Sequence, residues 1–360
     1  MEFTHLHVHT EYSLLDGSNK IKECIQRVKE LGMDSCAITD HGYMFGVIDF
    51  YRAAREAGIN PILGCEVYVA PNSRFDREVG GGEDRYYHLV LLAENNTGYA
   101  NLMKIVSKGF VEGYYYRPRV DKELLKKYHE GIIALSACLA GEVPRYIQKN
   151  LYDEAKKRAL EYRDIFGENN YFLELQDHGI PQQQTVNQQL LRMSQETGIP
   201  LVVTNDVHYT YEEDAVPHDI LLCLQTGKKL ADEDRMRYEG GQYYLKSPEE
   251  MERLFPYAKE AIANTHRIAQ RCHVEIEFGV TKLPRYDVPD GYTSWEYLNK
   301  LCDEGFARRY PDDDGTLREQ LDYELSIIQK MGYVDYFLIV WDFIHYARSQ
   351  DILVGPGRGS

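Results

Sequence analysis

A chain of 360 residues with a formal net charge of −16 has room for one large domain and a smaller second piece. Hydrophobic residues at 43% and charged residues at 27% exclude a disordered chain. The acidic balance excludes a protein that coats duplex DNA through a broad basic face, since neutralising phosphates takes clustered Lys and Arg.

In chain order the sequence repeats an amphipathic stretch, a glycine and a short apolar run. The strand candidates are Phe3 to Val8, Ser35 to Thr39, Pro61 to Val69, Tyr86 to Leu92, Ile132 to Ser136, Tyr171 to Leu175 and Leu201 to Thr204. Helices are predicted over Ser18 to Leu31, Phe45 to Ala57, Leu151 to Phe166 and Gln182 to Thr197, each stopped by a following glycine. Seven such strands with no dinucleotide fingerprint predict a parallel sheet closed as a distorted (β/α)7 TIM-like barrel.

From Ser247 to Glu277 the apolar positions recur at helical spacing, and Pro284 to Gly291 reads as an extended connection. Domains are expected at 1–283 and 284–360, the second α-rich. The chain stops in a glycine-rich loop, Gly355 to Ser360, which reads as a cut through a longer protein. Seven scattered cysteines, no signal-like start and no run of eighteen uncharged apolar residues point to a reduced cytoplasmic chain with no membrane partner.

The residues with chemistry cluster where the predicted strands end, as sites do in parallel α/β folds. His5, His7 and His9 alternate along the first strand, and Asp16 follows in its loop. Asp40-His41-Gly42 ends the second, Glu66 lies in the third and His88 in the fourth. Cys138 follows the fifth, and Asp206-Val207-His208 follows the seventh. Singly, each has an ordinary reading as a packed or surface side chain. Together, nitrogen, oxygen and sulfur donors from six of seven strand ends are hard to explain as barrel packing. Asp40 reads equally as an acceptor orienting an imidazole or as a turn carboxylate.

These motifs, His-Leu-His-Val-His-Thr at 5–10, Thr-Asp-His-Gly at 39–42, Gly-Cys-Glu at 64–66 and Asp-Val-His at 206–208, resemble the polymerase and histidinol phosphatase (PHP) family. The resemblance implies three metals. His7, His9, Glu66 and Asp206 would hold one, Glu66, His88 and Cys138 the next, and Asp16, His41 and His208 the third. It leaves His5 off the ligand list. Imidazoles, carboxylates and one thiolate suit zinc, with manganese or iron also accommodated.

Three carboxylates and one thiolate against three divalent ions leave the centre near plus two, an anion-attracting pocket in an acidic protein. Hydroxide held by the metal ligands is the expected nucleophile for phosphoester hydrolysis, with Cys138 a ligand and not an attacker. The loop Gly113 to Arg119 sets Tyr115 and Tyr116 beside Arg117 and Arg119, a composition suited either to gripping an unpaired base and a phosphate or to ordinary packing on the barrel.

About 150 residues follow His208. The stretch Gly332 to Phe343 and the terminal Gly-Pro-Gly-Arg-Gly-Ser resemble the start of the palm in the bacterial DNA polymerase III alpha family. There, Gly357, Arg358, Gly359 and Ser360 would help bind a nucleotide triphosphate. The resemblance implies that the palm's catalytic aspartates lie beyond Ser360. The PHP part is expected to be a metal-dependent 3′ to 5′ proofreading exonuclease acting on the single-stranded primer end. The remaining polymerase chain, the sliding clamp and the clamp loader are the implied partners, the last two through segments outside this sequence. The alternatives are a metal-stabilised scaffold without turnover and a small-molecule phosphatase of the histidinol phosphatase type.

Overall fold

A computed structural model describes residues 2–78, 84–280 and 282–357. The chain divides into two compact units, Met1–Ile276 and Glu277–Ser360.

In the first unit the strands are β1 (Ser35–Ile38), β2 (Asn60–Val69), β3 (Tyr87–Ala93), β4 (Tyr114–Tyr115), β5 (Arg117–Val120), β6 (Ile132–Leu135), β7 (Tyr171–Leu175) and β8 (Leu201–Val203). The helices are α1 (Ile21–Glu30), α2 (Val47–Ala57), α3 (Asn96–Val111), α4 (Lys122–Lys127), α5 (Glu142–Gln148), α6 (Tyr152–Phe166), α7 (Pro181–Thr197), α8 (Ala215–Thr226), α9 (Pro248–Leu254) and α10 (Lys259–Ala269). Strand order runs β4-β5-β2-β3-β6-β7-β8, with β1 paired to β2.

The N-terminal segment closes this curled sheet. It bridges β1 through His5 and Cys36, and meets the chain just past β8 through Val8 and Val207. The ring is therefore the distorted barrel expected from the sequence, with the β4–β5 hairpin as an addition at the end of β2.

Two expectations need correction. The sheet is mixed, because β3 runs antiparallel to both β2 and β6. Among the described residues no helix lies between β2 and β3 to carry the chain back for a parallel crossover. The first segment is also not a regular strand. A bend at His7 interrupts it, so the period-two alternation of His5, His7 and His9 fails. His5 is buried instead against the Lys246 carbonyl, Nε2 to O 2.8 Å, while Leu6 enters the barrel interior.

That interior is filled by Leu6, Ala37, Ile62, Val90, Leu92, Ile133, Leu135, Phe172 and Val202, with Ile268, Ala269 and Cys272 from and just after α10 packed among them. Every ring strand contributes, as a filled barrel requires. The opposite faces pack against the surrounding helices in a separate apolar layer. Strands buried on both faces explain why the sequence shows continuous apolar runs there. The single helical stripe expected from Ser247 to Glu277 is two helices, parted at Phe255–Ala258, where Pro256 cannot donate to a continuing helix.

Among its described residues the second unit holds three helices, α11 (Ser294–Arg309), α12 (Thr316–Lys330) and α13 (Val334–Ser349). Thr293 and Glu296 form a reciprocal cap at the start of α11. Leu298, Leu325 and Leu338, one per helix, make the core. Among the described residues no helix is long and apolar enough to cross a membrane.

Candidate metal centre

Strand parity decides which side chains reach the barrel mouth. Interior Ile62 on β2 puts Glu66 on the inner face, and Val90 on β3 does the same for His88. Phe172 on β7 likewise places Glu174. Because β3 is reversed, its first residues and not its last lie at the mouth. His88 is thus an exception to the expected pattern of donors at strand C-terminal ends. After β6 and β8 the backbone turns sharply at Ala137 (φ 63°) and Asp206 (φ 44°). This left-handed conformation is uncommon for non-glycine residues, and here it carries Cys138 and Asp206 to the mouth.

The nine side chains singled out from the sequence converge. His7, His9, Glu66 and Asp206 form one group with ligand atoms within 4.8 Å of one another, Glu66, His88 and Cys138 a second, and His9, His41 and His208 a third. Asp16 joins the third through His41, Oδ2 to Nε2 2.9 Å. Glu66 is the hub. Its Oε1 lies 2.7 Å from His41 Nδ1 and 2.9 Å from His88 Nδ1, and its Oε2 lies 3.0 Å from His7 Nε2. His88 Nδ1 stands 3.7 Å from Cys138 Sγ. His5 lies outside all three groups.

The imidazole tautomers follow from what each outer nitrogen touches. His7 Nδ1 donates to Glu174 Oε1 at 2.7 Å, and His208 Nδ1 donates to the Asp206 carbonyl at 2.7 Å. His9 Nδ1 donates to Ser13 Oγ at 3.2 Å, and that hydroxyl in turn donates to Asp40 at 2.7 Å. In each neutral ring this leaves the Nε2 lone pair facing inward. His9 Nε2 and Asp206 Oδ1 are buried 3.2 Å apart, yet neither makes a hydrogen bond. Asp206 Oδ1 lies 3.2 Å from His7 Nε2 as well, and with the rings in these neutral tautomers a cation would satisfy the inward lone pairs and the carboxylate together.

The electrostatics agree. Burial works against charge on His7, yet Asp206 and Glu174 hold its pKa well above the usual histidine value. Burial likewise opposes His41, which Glu66 and Asp16 raise to about 10. His9 is pushed down to about 3 by burial and by His41 and His208. Burial would raise Glu66, but His88 and His41 keep its carboxyl well below the normal range. The Cys138 thiol is pushed well up by burial and by Asp206 and Glu66. Without metal, protons on imidazoles are the counter-charges, and these are the protons a bound cation would displace.

Of the two readings of Asp40, the turn carboxylate is what the structure places. It accepts from the Thr10 amide at 2.6 Å, the Thr10 hydroxyl at 2.8 Å and Ser13, holding the loop that carries Asp16. It reaches an imidazole only through Ser13.

Two residues escaped the sequence reading. Glu174 is buried and accepts from His7, from Gln176 at 2.9 Å and from the Thr204 hydroxyl. One charged residue inside the run Tyr-Phe-Leu-Glu-Leu was the available signal. Tyr238 sets its hydroxyl 3.0 Å from Asp16 Oδ1 and 3.2 Å from His208 Nε2. It sits in an irregular segment after α8, where no periodicity marks it.

The expected substrate grip is only partly available. Arg119 is buried, with its guanidinium directed at the carbonyls of Gly113, Arg74 and Asp76, which removes it from any contact with substrate. Tyr115 is half-buried beneath it. Tyr116 and Arg117 are exposed. Gly357 is exposed, while Arg358, Gly359 and Ser360 lie outside the described residues.

Residues 5–178 match the family model of the PHP domain, and residues 296–360 match that of the bacterial DNA polymerase III alpha NTPase domain. Asp206 and His208 lie past the end of the first match. The chain is similar to the DNA polymerase III subunit alpha of Treponema pallidum, 48% identical over 361 residues, covering 100% of this chain and 31% of that protein. It is similar also to the subunit of the same name from Borreliella burgdorferi, 47% identical over 360 residues, with 99% and 31% covered. The chain thus spans about a third of the length of these curated relatives. Among solved structures, an amidohydrolase from Chromobacterium violaceum matches with a TM-score of 0.40 and 15% identity over 58% of this chain and 88% of the other, a likeness too distant to carry an argument.

Proposed function

From the premise that this chain belongs to the bacterial DNA polymerase III alpha family, with a PHP domain over residues 5–178, we propose that its first unit hydrolyses DNA phosphodiesters as a metal-dependent 3′ to 5′ exonuclease on single-stranded primer ends. The observation that carries this is the convergence of nine nitrogen, oxygen and sulfur donors at the barrel mouth, with His9 Nε2 and Asp206 Oδ1 3.2 Å apart among them.

Three sets of residues would hold divalent ions: His7, His9, Glu66 and Asp206; Glu66, His88 and Cys138; and Asp16, His41 and His208. Such ions supply a water of lowered pKa and stabilise the phosphoryl oxygens during in-line displacement. The protein's own groups do the positioning. Glu66 joins the first two sets and touches His41 of the third. Glu174, Ser13 and the Asp206 carbonyl fix the rings of His7, His9 and His208 so that each Nε2 points inward. Tyr238 donates to Asp16 and holds that carboxylate in place. Exposed Arg117, the first residue of β5, lies over the ring of Tyr68, which itself contacts His88 and His41, where a guanidinium can meet a phosphate.

The test is to incubate the purified chain with a 5′-labelled single-stranded primer and manganese or zinc. Stepwise shortening from the 3′ end is expected, together with its loss in His9→Ala and Asp206→Asn. Digestion that needs no metal, or variants as active as the parent, would count against the proposal. Turnover of phosphate monoesters with DNA left intact would move the assignment to a small-molecule phosphatase.

A further inference from the structure

A row of rings, half-buried at Tyr43 and exposed beyond it, leads away from the mouth. Tyr43 follows His41 by two residues, and its ring stacks on Phe45 with centroids 4.9 Å apart and planes at 16°. Phe45 continues to Phe110 at 6.2 Å, and Phe110 to Tyr114 at 6.2 Å. Phe45 is 66% exposed, Tyr114 57% and Phe110 37%. These residues come from three separate places, the loop before α2, the last turn of α3 and β4. Neither the barrel core nor the apolar layer around it includes them. Exposed Phe and Tyr that core packing does not require mark a surface used for contact.

Cations border the row on the side of the metal centre. Arg117, which follows Tyr114 by three residues, lies 5.6 Å over the ring of Tyr68, and Arg85 lies 4.2 Å over Tyr116. Both arginines are exposed, and Tyr68 contacts His88 at 5.3 Å and His41 at 6.4 Å. Guanidiniums near the donor cluster and rings running outward from it match a single-stranded polynucleotide, whose phosphates take the cations and whose bases take the rings. An apolar protein segment would use the rings and leave the arginines idle.

We propose that Tyr43, Phe45, Phe110 and Tyr114 form a stacking track that holds the unpaired bases of a single strand whose end is directed into the metal centre by Arg117. The track depends on the exonuclease reading for its direction, and its binding can be measured separately from turnover. The rings offer π faces to any base, so binding should be sequence-tolerant, and the arginines should make it weaken with salt.

The test is fluorescence anisotropy with the whole chain and a 5′-fluorescein oligodeoxythymidylate carrying phosphorothioate linkages, beside an abasic strand of equal length. Phe45→Leu and Phe110→Leu keep apolar bulk at exposed positions and remove the ring. Each is expected to raise Kd by about tenfold, with Phe45→Tyr binding as the parent does and the abasic strand binding more weakly than the thymidylate. Leucine variants that match the parent would overturn the track, as would an abasic strand bound as tightly as the thymidylate, or no binding by the parent. Hydrolysis of bis(p-nitrophenyl) phosphate by the parent chain separates the two proposals: turnover without oligonucleotide binding removes the track alone, and binding without turnover removes the exonuclease alone.

Discussion

Replacing Glu174 tests how far the centre depends on groups that never touch a metal. One carboxylate oxygen accepts from His7 Nδ1 at 2.7 Å, Gln176 Nε2 at 2.9 Å and the Thr204 hydroxyl, all in a buried site. Glu174→Gln can keep an acceptor beside His7 but removes one of the two charges, with that of Asp206, that make the ring basic. Substitution of such supporting groups lowers metal affinity by roughly 10- to 100-fold, or about 1.4–2.7 kcal/mol. Glu174→Ala leaves His7 Nδ1 and the Thr204 hydroxyl without their acceptor, while Gln176 Nε2 keeps Thr204 Oγ1 at 3.2 Å, and at about 1–3 kcal/mol for each unsatisfied buried group it should cost about 2 kcal/mol or more of folding stability. Titration with zinc against a competing chelator, with elemental analysis of the purified variants, reads the first effect. Urea unfolding of metal-free protein reads the second. If Glu174→Gln retained the parent's metal affinity, the argument that the Glu174 charge strengthens His7 as a ligand through its outer hydrogen bond would be refuted.

Tyr238→Phe removes the hydroxyl that donates to Asp16; we expect weaker metal binding at the Asp16, His41 and His208 group alone, read as a drop in metal stoichiometry with the fold unchanged by circular dichroism. Acid should weaken the protein through His178, which is buried, bonded to the Asn205 carbonyl at 2.8 Å and stacked on Tyr243 at 3.8 Å. Burial lowers its pKa from 6.5 to about 4. Below 6.5 the unfolded chain takes a proton that the folded chain refuses, so stability present above that value falls between pH 6.5 and 4. The loss approaches about 3 kcal/mol. Urea midpoints measured across that window should decline, and His178→Gln should flatten the decline; an unchanged slope in the variant would assign it to other groups.

Much of the barrel was legible in the sequence. Six of the seven predicted strands correspond to β1, β2, β3, β6, β7 and β8 to within one or two residues, because strands buried on both faces must be runs of apolar residues between glycine stops. Helices α1, α2, α6 and α7 and the region of α9 and α10 were legible too, while α3, α4, α5 and α8 were not. α3 has small and polar residues where a clear apolar stripe would be, and α5 is only seven residues long. The direction of β3 was hidden as well, since hydrophobic pattern is the same read either way along a strand.

For the site, residue type and motif spacing were enough to nominate the nine donors, because imidazoles, carboxylates and a thiol at strand ends are costly to bury without a purpose. Which of them meet was a tertiary matter. The bend at His7 sends His5 away, the reversal of β3 brings in His88 from a strand's beginning, and Asp206 turns inward through a left-handed backbone. Glu174 and Tyr238, and the ring row from Tyr43 to Tyr114, are assembled from segments far apart in the chain. Local sequence carries periodicity and composition; only closure of the ring brings side chains of remote residues within hydrogen-bonding and stacking distance.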